Sequence, residues 1–243
     1  NLRFAKAIKP LGIPTIFYIC PQVWAWKKGR IKEMAQILDR LLVIFPFEVD
    51  LFKGYSLPVH FVGHPLVSEI QKALSTDSEE LTWPAEDRIA LLPGSRNQEV
   101  ERILPVLLNA ARQLKVDRPA AGFVIAAASP AIGTRIKEVM RNEADVPDCV
   151  VMTGKTRDVL RQARAAWVAS GTATLETAMI GCPMAVVYVT SAITYAIGRR
   201  VVKIPHIGLV NVVAGRELCR EFLQGDATSD NLVAEMQRLL DDG

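Results

Sequence analysis

The chain has 243 residues, half of them apolar and 23% charged, enough for one large domain or two small ones around a sizeable core. That composition excludes wholesale disorder, collagen-like repeats and coiled coil, and apolar runs such as Leu41 to Phe45 and Met184 to Val189 are far short of the roughly 18 residues of a membrane span. Lys plus Arg exceeds Asp plus Glu by only three, too little to point to nucleic acid.

In chain order, short apolar runs alternate with amphipathic segments. Strands are predicted at 15–19, 40–45, 59–62, 88–92, 122–127, 149–152, 165–169 and 184–188. Strands that are apolar throughout and alternate with helices imply a parallel sheet covered on both faces. A helical stripe runs through Val100, Ile103, Leu104, Leu107, Ala111 and Leu114. Pro105 inside it implies either a helix that begins there or a broken one. The alternation lapses between His64 and Arg88, where Pro65, the polar run Ser75 to Glu80 and Trp83-Pro84 read as a junction. Residues 1–64 then form a first unit, 65–85 a linker and 86–243 a second unit. The first unit has three strands and reads as the second half of a doubly wound domain. Asn1 opens inside a helical pattern (Leu2, Ala5, Ile8) and Gly243 follows a helix directly, so the chain is expected to be a fragment.

Cys20, Cys149, Cys182 and Cys219 are widely spaced without a CxxC pair, and the three His are not at metal-ligand spacing. Neither a metal site nor a disulfide framework is expected. Buried free thiols in a reducing compartment are the better reading.

Five segments carry candidate chemistry. Leu91-Leu92-Pro93-Gly94-Ser95-Arg96-Asn97-Gln98-Glu99 follows a strand and opens a helix. Ligands of open α/β sheets sit at the carboxyl ends of strands. Ser95 and the first N–H groups of the helix can bind an anion, and Arg96 can make charge-assisted bonds to phosphate. A capped turn with a solvated Arg explains the same residues. Ala169-Ser170-Gly171-Thr172-Ala173-Thr174-Leu175-Glu176 again joins a strand to a helix. Ser170, Gly171 and Thr172 make a compact diphosphate cradle. Glu176, about one turn into the helix, can accept both hydroxyls of a ribose, or simply favour the positive helix end. Two such turns in one sheet point to a nucleotide, and nothing points to a redox cofactor.

Pro21-Gln22-Val23-Trp24-Ala25-Trp26 with Lys27, Lys28, Arg30 and Lys32 could seat a sugar, an acyl chain or an anionic lipid surface. A buried aromatic cluster beside a solvated helix is the competing reading. His64 in Gly63-His64-Pro65 either contacts a ligand or rigidifies a turn. Asn211 and Arg216, within Leu209 to Glu217, either reach a cleft or fix a loop. Tyr195, Ile197, Arg199, Arg200, Val201, Val202 and Lys203 form a basic and apolar stretch suited to a membrane surface or to an ordinary surface helix.

Taken together and in this order, Pro21 to Trp26, Gly63-His64-Pro65, Leu92 to Arg96 with Glu99, Ser170 to Glu176, and Asn211 to Glu217 resemble the lipid-A-disaccharide synthases. The resemblance covers essentially the whole chain. It implies α/β architecture of GT-B type, with two Rossmann-like domains facing across a cleft, the first incomplete here. It implies an inverting transfer of 2,3-diacylglucosamine from its UDP derivative to 2,3-diacylglucosamine 1-phosphate, giving lipid A disaccharide 1-phosphate and UDP. UDP-sugar is a substrate, and neither metal nor cofactor is needed. The implied setting is cytoplasmic and peripheral on the Gram-negative inner membrane, with a possible homodimer and no nucleic acid. By residue, the resemblance implies catalytic roles for Arg96 and Asn211 and a less defined one for Glu99. It implies nucleotide contacts from Ser95, Ser170, Gly171, Thr172, Glu176 and Arg216. The family's proposed general base, an aspartate, falls upstream of Asn1, so the fragment alone is expected to be nearly inactive. Alternatives are another GT-B enzyme (the peptidoglycan N-acetylglucosaminyl transferase or a UDP-sugar epimerase) or a non-catalytic UDP-binding module.

Overall fold

The computed structural model describes residues 1–26, 29–83, 85–201 and 205–242. The chain divides into two compact units, one made of Asn1–Glu69 with residues 196–204, the other of Ile70–Tyr195 with 205–243.

In the first unit, three parallel strands, β1 (Ile16–Tyr18), β2 (Arg40–Val43) and β3 (Val59–Phe61), lie in that order in one sheet. Helices α1 (Leu2–Ile8), α2 (Val23–Trp26), α3 (Arg30–Ile37) and α4 (Phe47–Asp50) alternate with them. The core gathers Ala5, Val23, Ile31, Met34, Leu41, Val43 and Phe52. The three strands fall at the predicted places, each ending one or two residues earlier than the apolar pattern does.

Helix α5 (Pro65–Ser75) contains the boundary between the units. The stretch that follows it, up to the next strand, has neither helix nor strand among its described residues, yet it is not loose. Leu81 and Trp83 are buried. The Leu81 N–H donates to Gln162 Oε1 at 3.1 Å, and Gln162 Nε2 donates back to the Glu79 carbonyl.

The second unit is a six-stranded, all-parallel sheet. Its strands are β4 (Asp87–Leu92), β5 (Ala121–Ala127), β6 (Cys149–Thr153), β7 (Ala165–Ala169), β8 (Met184–Tyr188) and β9 (Glu221–Leu223). Their spatial order is β6-β5-β4-β7-β8-β9, the doubly wound order in which direction reverses between the first strand and the fourth. Helices α6 (Asn97–Asp117), α7 (Pro130–Asn142), α8 (Thr156–Gln162), α9 (Thr172–Ile180), α11 (Leu209–Ala214) and α12 (Ser229–Asp241) complete the alternation, while α10 (Ala192–Val201) passes from this unit into the first after Tyr195. One face of the sheet packs on α6, α7 and α12 through Val100, Leu104, Ile136, Leu232 and Met236. The other packs on α8, α9 and α11 through Val159, Leu160, Ile180 and Val210. Burial on both faces is why Ile89–Leu92 of β4 and all of β7 are apolar rather than alternating.

Two details differ from the sequence reading. Helix α6 is one continuous helix with Pro105 inside it. The helical stripe from Val100 to Leu114 is fully buried, and that packing outweighs the one backbone hydrogen bond Pro105 cannot donate. The bond lost is to the carbonyl of Glu101, an exposed residue that water can serve. Strand β9 was not predicted because Glu221-Phe222-Leu223 is short and led by a charge.

Candidate functional site

The sheet reverses direction between β4 and β7, which pair in register with Leu92 opposite Val168. The two candidate turns leave these neighbouring strands at the same carboxyl edge. Sequence positions almost eighty residues apart thus share the one crevice that open α/β sheets use for ligands.

The turn after β4 is built around Glu99. Its Oε2 accepts the N–H groups of Ser95 and Arg96 at 2.9 and 3.2 Å, and its Oε1 accepts Arg96 Nη1 at 2.6 Å. This is a capping arrangement at the start of α6. The carboxylate folds back over Gly94, whose φ is +119°. A methyl group there would lie 2.6 Å from both Glu99 Cβ and Oε2. Glycine is therefore required both by conformation and by space. Glu99 already occupies the Ser95 and Arg96 N–H groups. The Arg96 side chain remains 80% exposed and can swing to a ligand.

The turn after β7 has the opposite character. Gly171 has φ +151°, a region that essentially only glycine occupies, and open space surrounds it. The Thr174 N–H and hydroxyl both bond the Gly171 carbonyl. The N–H groups of Thr172 and Ala173 open helix α9 without an intrahelical acceptor, as at any helix start. Ser170 Oγ donates to the Ile207 carbonyl at 3.0 Å. Gly181, at φ +89°, closes the helix in the left-handed conformation. Glu176 is only 19% exposed and is paired with Arg157 Nε at 2.7 Å. Arg157 is a residue the sequence reading missed, since α8 carries no motif of its own.

Asn211 is completely buried and uses its whole amide. Nδ2 donates to the Cys219 carbonyl at 2.7 Å and to Glu221 Oε1 at 2.8 Å. Oδ1 accepts the N–H groups of Leu218 and Cys219. These bonds match the loop-fixing reading of Asn211. Arg216 stands exposed on that loop, just after the left-handed Gly215.

In the first unit, the Pro21–Trp26 and Gly63-His64-Pro65 segments meet through an aromatic ladder. Trp24 is buried and meets Phe47 edge-on, Phe47 stacks on Phe45, and Phe45 meets the His64 ring. Trp24 is thus part of a buried cluster and does not offer a sugar platform. His64 Nδ1 accepts the Leu66 N–H at 3.1 Å, so it rigidifies the turn into α5. Burial holds its pKa below the usual 6.5. Beneath this ladder, Glu48 is a buried carboxylate that accepts the Phe45 N–H, and burial raises its pKa. The Lys27, Lys28, Val202 and Lys203 positions lie outside the described residues, as do the side chains of Trp26, Ile197, Arg199, Arg200 and Val201.

No helix among the described residues is long and apolar enough to cross a membrane, and no group of three or more His, Cys, Asp or Glu that could hold a metal occurs among them. The sequence matches the family described as Lipid-A-disaccharide synthetase across residues 1–243.

The chain belongs to the lipid-A-disaccharide synthetase family.

Curated relatives include lipid-A-disaccharide synthases of Syntrophus aciditrophicus, 43% identical over 99% of this chain and 63% of the relative, and of Geobacter metallireducens, 38% identical over 100% and 63%. The chain thus spans 63% of the length of these lipid-A-disaccharide synthases. Among solved structures, it is similar to trehalose 6-phosphate synthase of Burkholderia multivorans, with TM-score 0.56 and 12% identity over 100% of this chain and 62% of that one. It is also similar to the ADP-heptose heptosyltransferase II of E. coli, with TM-score 0.50 and 12% identity over 100% and 74%. A putative UDP-N-acetylglucosamine 2-epimerase of Listeria monocytogenes aligns with TM-score 0.51 and 14% identity over 99% and 69%. Together with the parallel sheets, these similarities establish a GT-B type α/β fold for this chain.

Proposed function

We propose that this chain supplies the UDP-sugar side of an inverting glycosyltransferase of lipid A biosynthesis. The enzyme moves 2,3-diacylglucosamine from its UDP derivative to the 6-hydroxyl of 2,3-diacylglucosamine 1-phosphate. The products are lipid A disaccharide 1-phosphate and UDP. The observation that carries the reading is the convergence of the Gly94–Arg96 and Ser170–Thr172 turns at the switch point of the second sheet, in a chain of this family.

The diphosphate lies against the start of α9, where the free N–H groups and the helix dipole favour negative charge. Glu176, oriented by Arg157, accepts the ribose hydroxyls. Inversion is a single displacement. The acceptor oxygen attacks the anomeric carbon, the bond to the UDP oxygen breaks on the opposite face, and the acceptor proton passes to the general base that the family places upstream of Asn1. Negative charge grows on the departing diphosphate. The exposed Arg96 guanidinium answers that charge, and Glu99 sets its resting position. Asn211 acts by shaping the loop that presents Arg216. Ser95 contributes through its hydroxyl, its N–H being held by Glu99.

A peripheral lipid surface is supported by the first unit, where Phe4 and Leu11 are each 70% exposed among Arg3, Lys6 and Lys9. Exposed apolar groups beside cations suit an anionic bilayer surface.

The test is calorimetric titration of UDP into the chain, with ADP as control and Glu176→Ala as the variant. Selective UDP binding that the variant weakens supports the donor site. A folded chain that binds neither nucleotide, or binds both alike, defeats it. A thin-layer assay with both lipid substrates then tests transfer.

A further inference from the structure

Glu221 lies outside every motif in the sequence, yet it is the node that ties the candidate site together. Its side chain is only 8% exposed. Oε2 accepts the Ile207 N–H at 2.9 Å, while Oε1 accepts the Gly208 N–H at 3.0 Å and Asn211 Nδ2 at 2.8 Å. The His206 imidazole stands beside it, with Nδ1 4.0 Å from Oε1. A carboxylate taken out of water is costly unless its lone pairs are filled, and here three N–H donors fill them.

Each donor leads somewhere. Ile207, held through its N–H, presents its carbonyl to Ser170 Oγ, beside Gly171. Gly208 starts α11, whose Val210 N–H reaches the Thr174 hydroxyl at 3.3 Å. Asn211, held by Glu221, fixes Leu218 and Cys219 and so closes the loop that carries Arg216. One carboxylate therefore sets both the turn after β7 and the Arg216 loop. We infer that Glu221 is a positioning residue for nucleotide diphosphate binding, acting through Ile207 on Ser170 and through Asn211 on the Arg216 loop. The inference rests on the diphosphate reading of the Ser170–Thr172 turn.

Glu221→Gln tests it. Wherever the amide NH₂ points, it faces an N–H group, so at least one of the three bonds is lost. Gly208→Ala is a gentler probe. Gly208 has φ −68°, which alanine adopts freely. The added methyl would sit 3.2 Å from Glu221 Oε1 and 3.3 Å from Val186 Cγ1, so it pushes the carboxylate without straining the backbone.

UDP affinity is measured by calorimetry for the wild-type chain, Glu176→Ala, Ser170→Ala, Glu221→Gln, Gly208→Ala and the pairs with Ser170→Ala, with melting temperature recorded for each. Loss of one hydrogen bond to a charged group predicts binding weaker by roughly ten-fold in Glu221→Gln. Because Glu221 acts through Ser170, the Ser170→Ala/Glu221→Gln pair should bind no more weakly than the weaker single variant. Should Glu221→Gln fail to fold, the Gly208→Ala cycle measures the same coupling. Fully multiplicative effects, or lower melting temperatures with unchanged UDP affinity, would overturn the inference and leave Glu221 a stabilising residue only. If the wild type binds UDP and Glu176→Ala weakens it, while Glu221→Gln and Gly208→Ala bind as wild type, this inference fails and the donor-site reading stands. A folded wild type that ignores UDP removes both.

Discussion

Replacing Gly94 by alanine challenges the turn after β4 at its tightest point. The backbone there has φ +119°, and holding a residue with a Cβ in such a sparsely populated region costs about 1–3 kcal/mol. The new methyl would also approach Glu99 Cβ and Oε2, each to 2.6 Å. The carboxylate can rotate away, but Glu99 Cβ is fixed to helix α6. Rotation in turn releases the Ser95 and Arg96 N–H groups, a loss of about 1 kcal/mol by the usual value of a helix cap. The two effects together predict a destabilisation of about 2–4 kcal/mol, read as a lower urea midpoint at unchanged slope. Gly171→Ala serves as the control. It carries comparable backbone strain at φ +151° with nothing within 4 Å of the added methyl, so it should be the milder change. Gly94→Ala within about 0.5 kcal/mol of wild type, the range of an ordinary surface substitution, would refute the account of this turn. So would Gly171→Ala proving the more damaging of the two.

Asn211→Asp is expected to destabilise strongly, by about 2–4 kcal/mol at neutral pH, because it sets a second buried carboxylate against Glu221 and removes two donors; the loss should shrink on acidification, and a variant that unfolds like wild type at pH 7 argues against the buried network. His64 has a folded-state pKa below its ordinary 6.5, so the unfolded chain takes up the proton first as pH falls, and stability that is complete above about 6.5 is lost progressively below it. His64→Asn keeps an acceptor for the Leu66 N–H without titrating there, and comparing urea midpoints at pH 5 and 7.5 should show a smaller pH dependence than wild type. Burial pushes the Cys20, Cys149 and Cys182 thiols up to about 12 and raises Cys219 as well. A thiol reagent at pH 7.5 should therefore react slowly with the native chain and with all four cysteines after unfolding; a fast-reacting cysteine in the folded protein would contradict that burial.

The parallel α/β character was legible because strands buried on both faces leave apolar runs and the helices between them leave a 3.6-residue stripe. Turn chemistry was legible for a similar reason. Gly94 and Gly171 stand where the chain needs angles that favour glycine. Pro105 misled because a single proline is a local signal, whereas the eight buried residues of α6 act together. Strand β9 was hidden because it opens on the charged Glu221 and lacks the apolar run that marked the equally short β1 and β3.

By itself, the sequence determined the parallel α/β alternation, the turns at strand ends and the membership of a family whose motifs recur in order, since each depends on residues near one another in the chain. Only the tertiary structure decided which turns share a crevice, because the reversal between β4 and β7 brings Arg96 and Ser170 to one edge. It also decided that Arg157 holds Glu176, and that Asn211 and Glu221 form one buried network. Hydrogen-bond partners on different elements leave no spacing to read; burial makes them necessary, since each group withdrawn from water must find its partner in the fold.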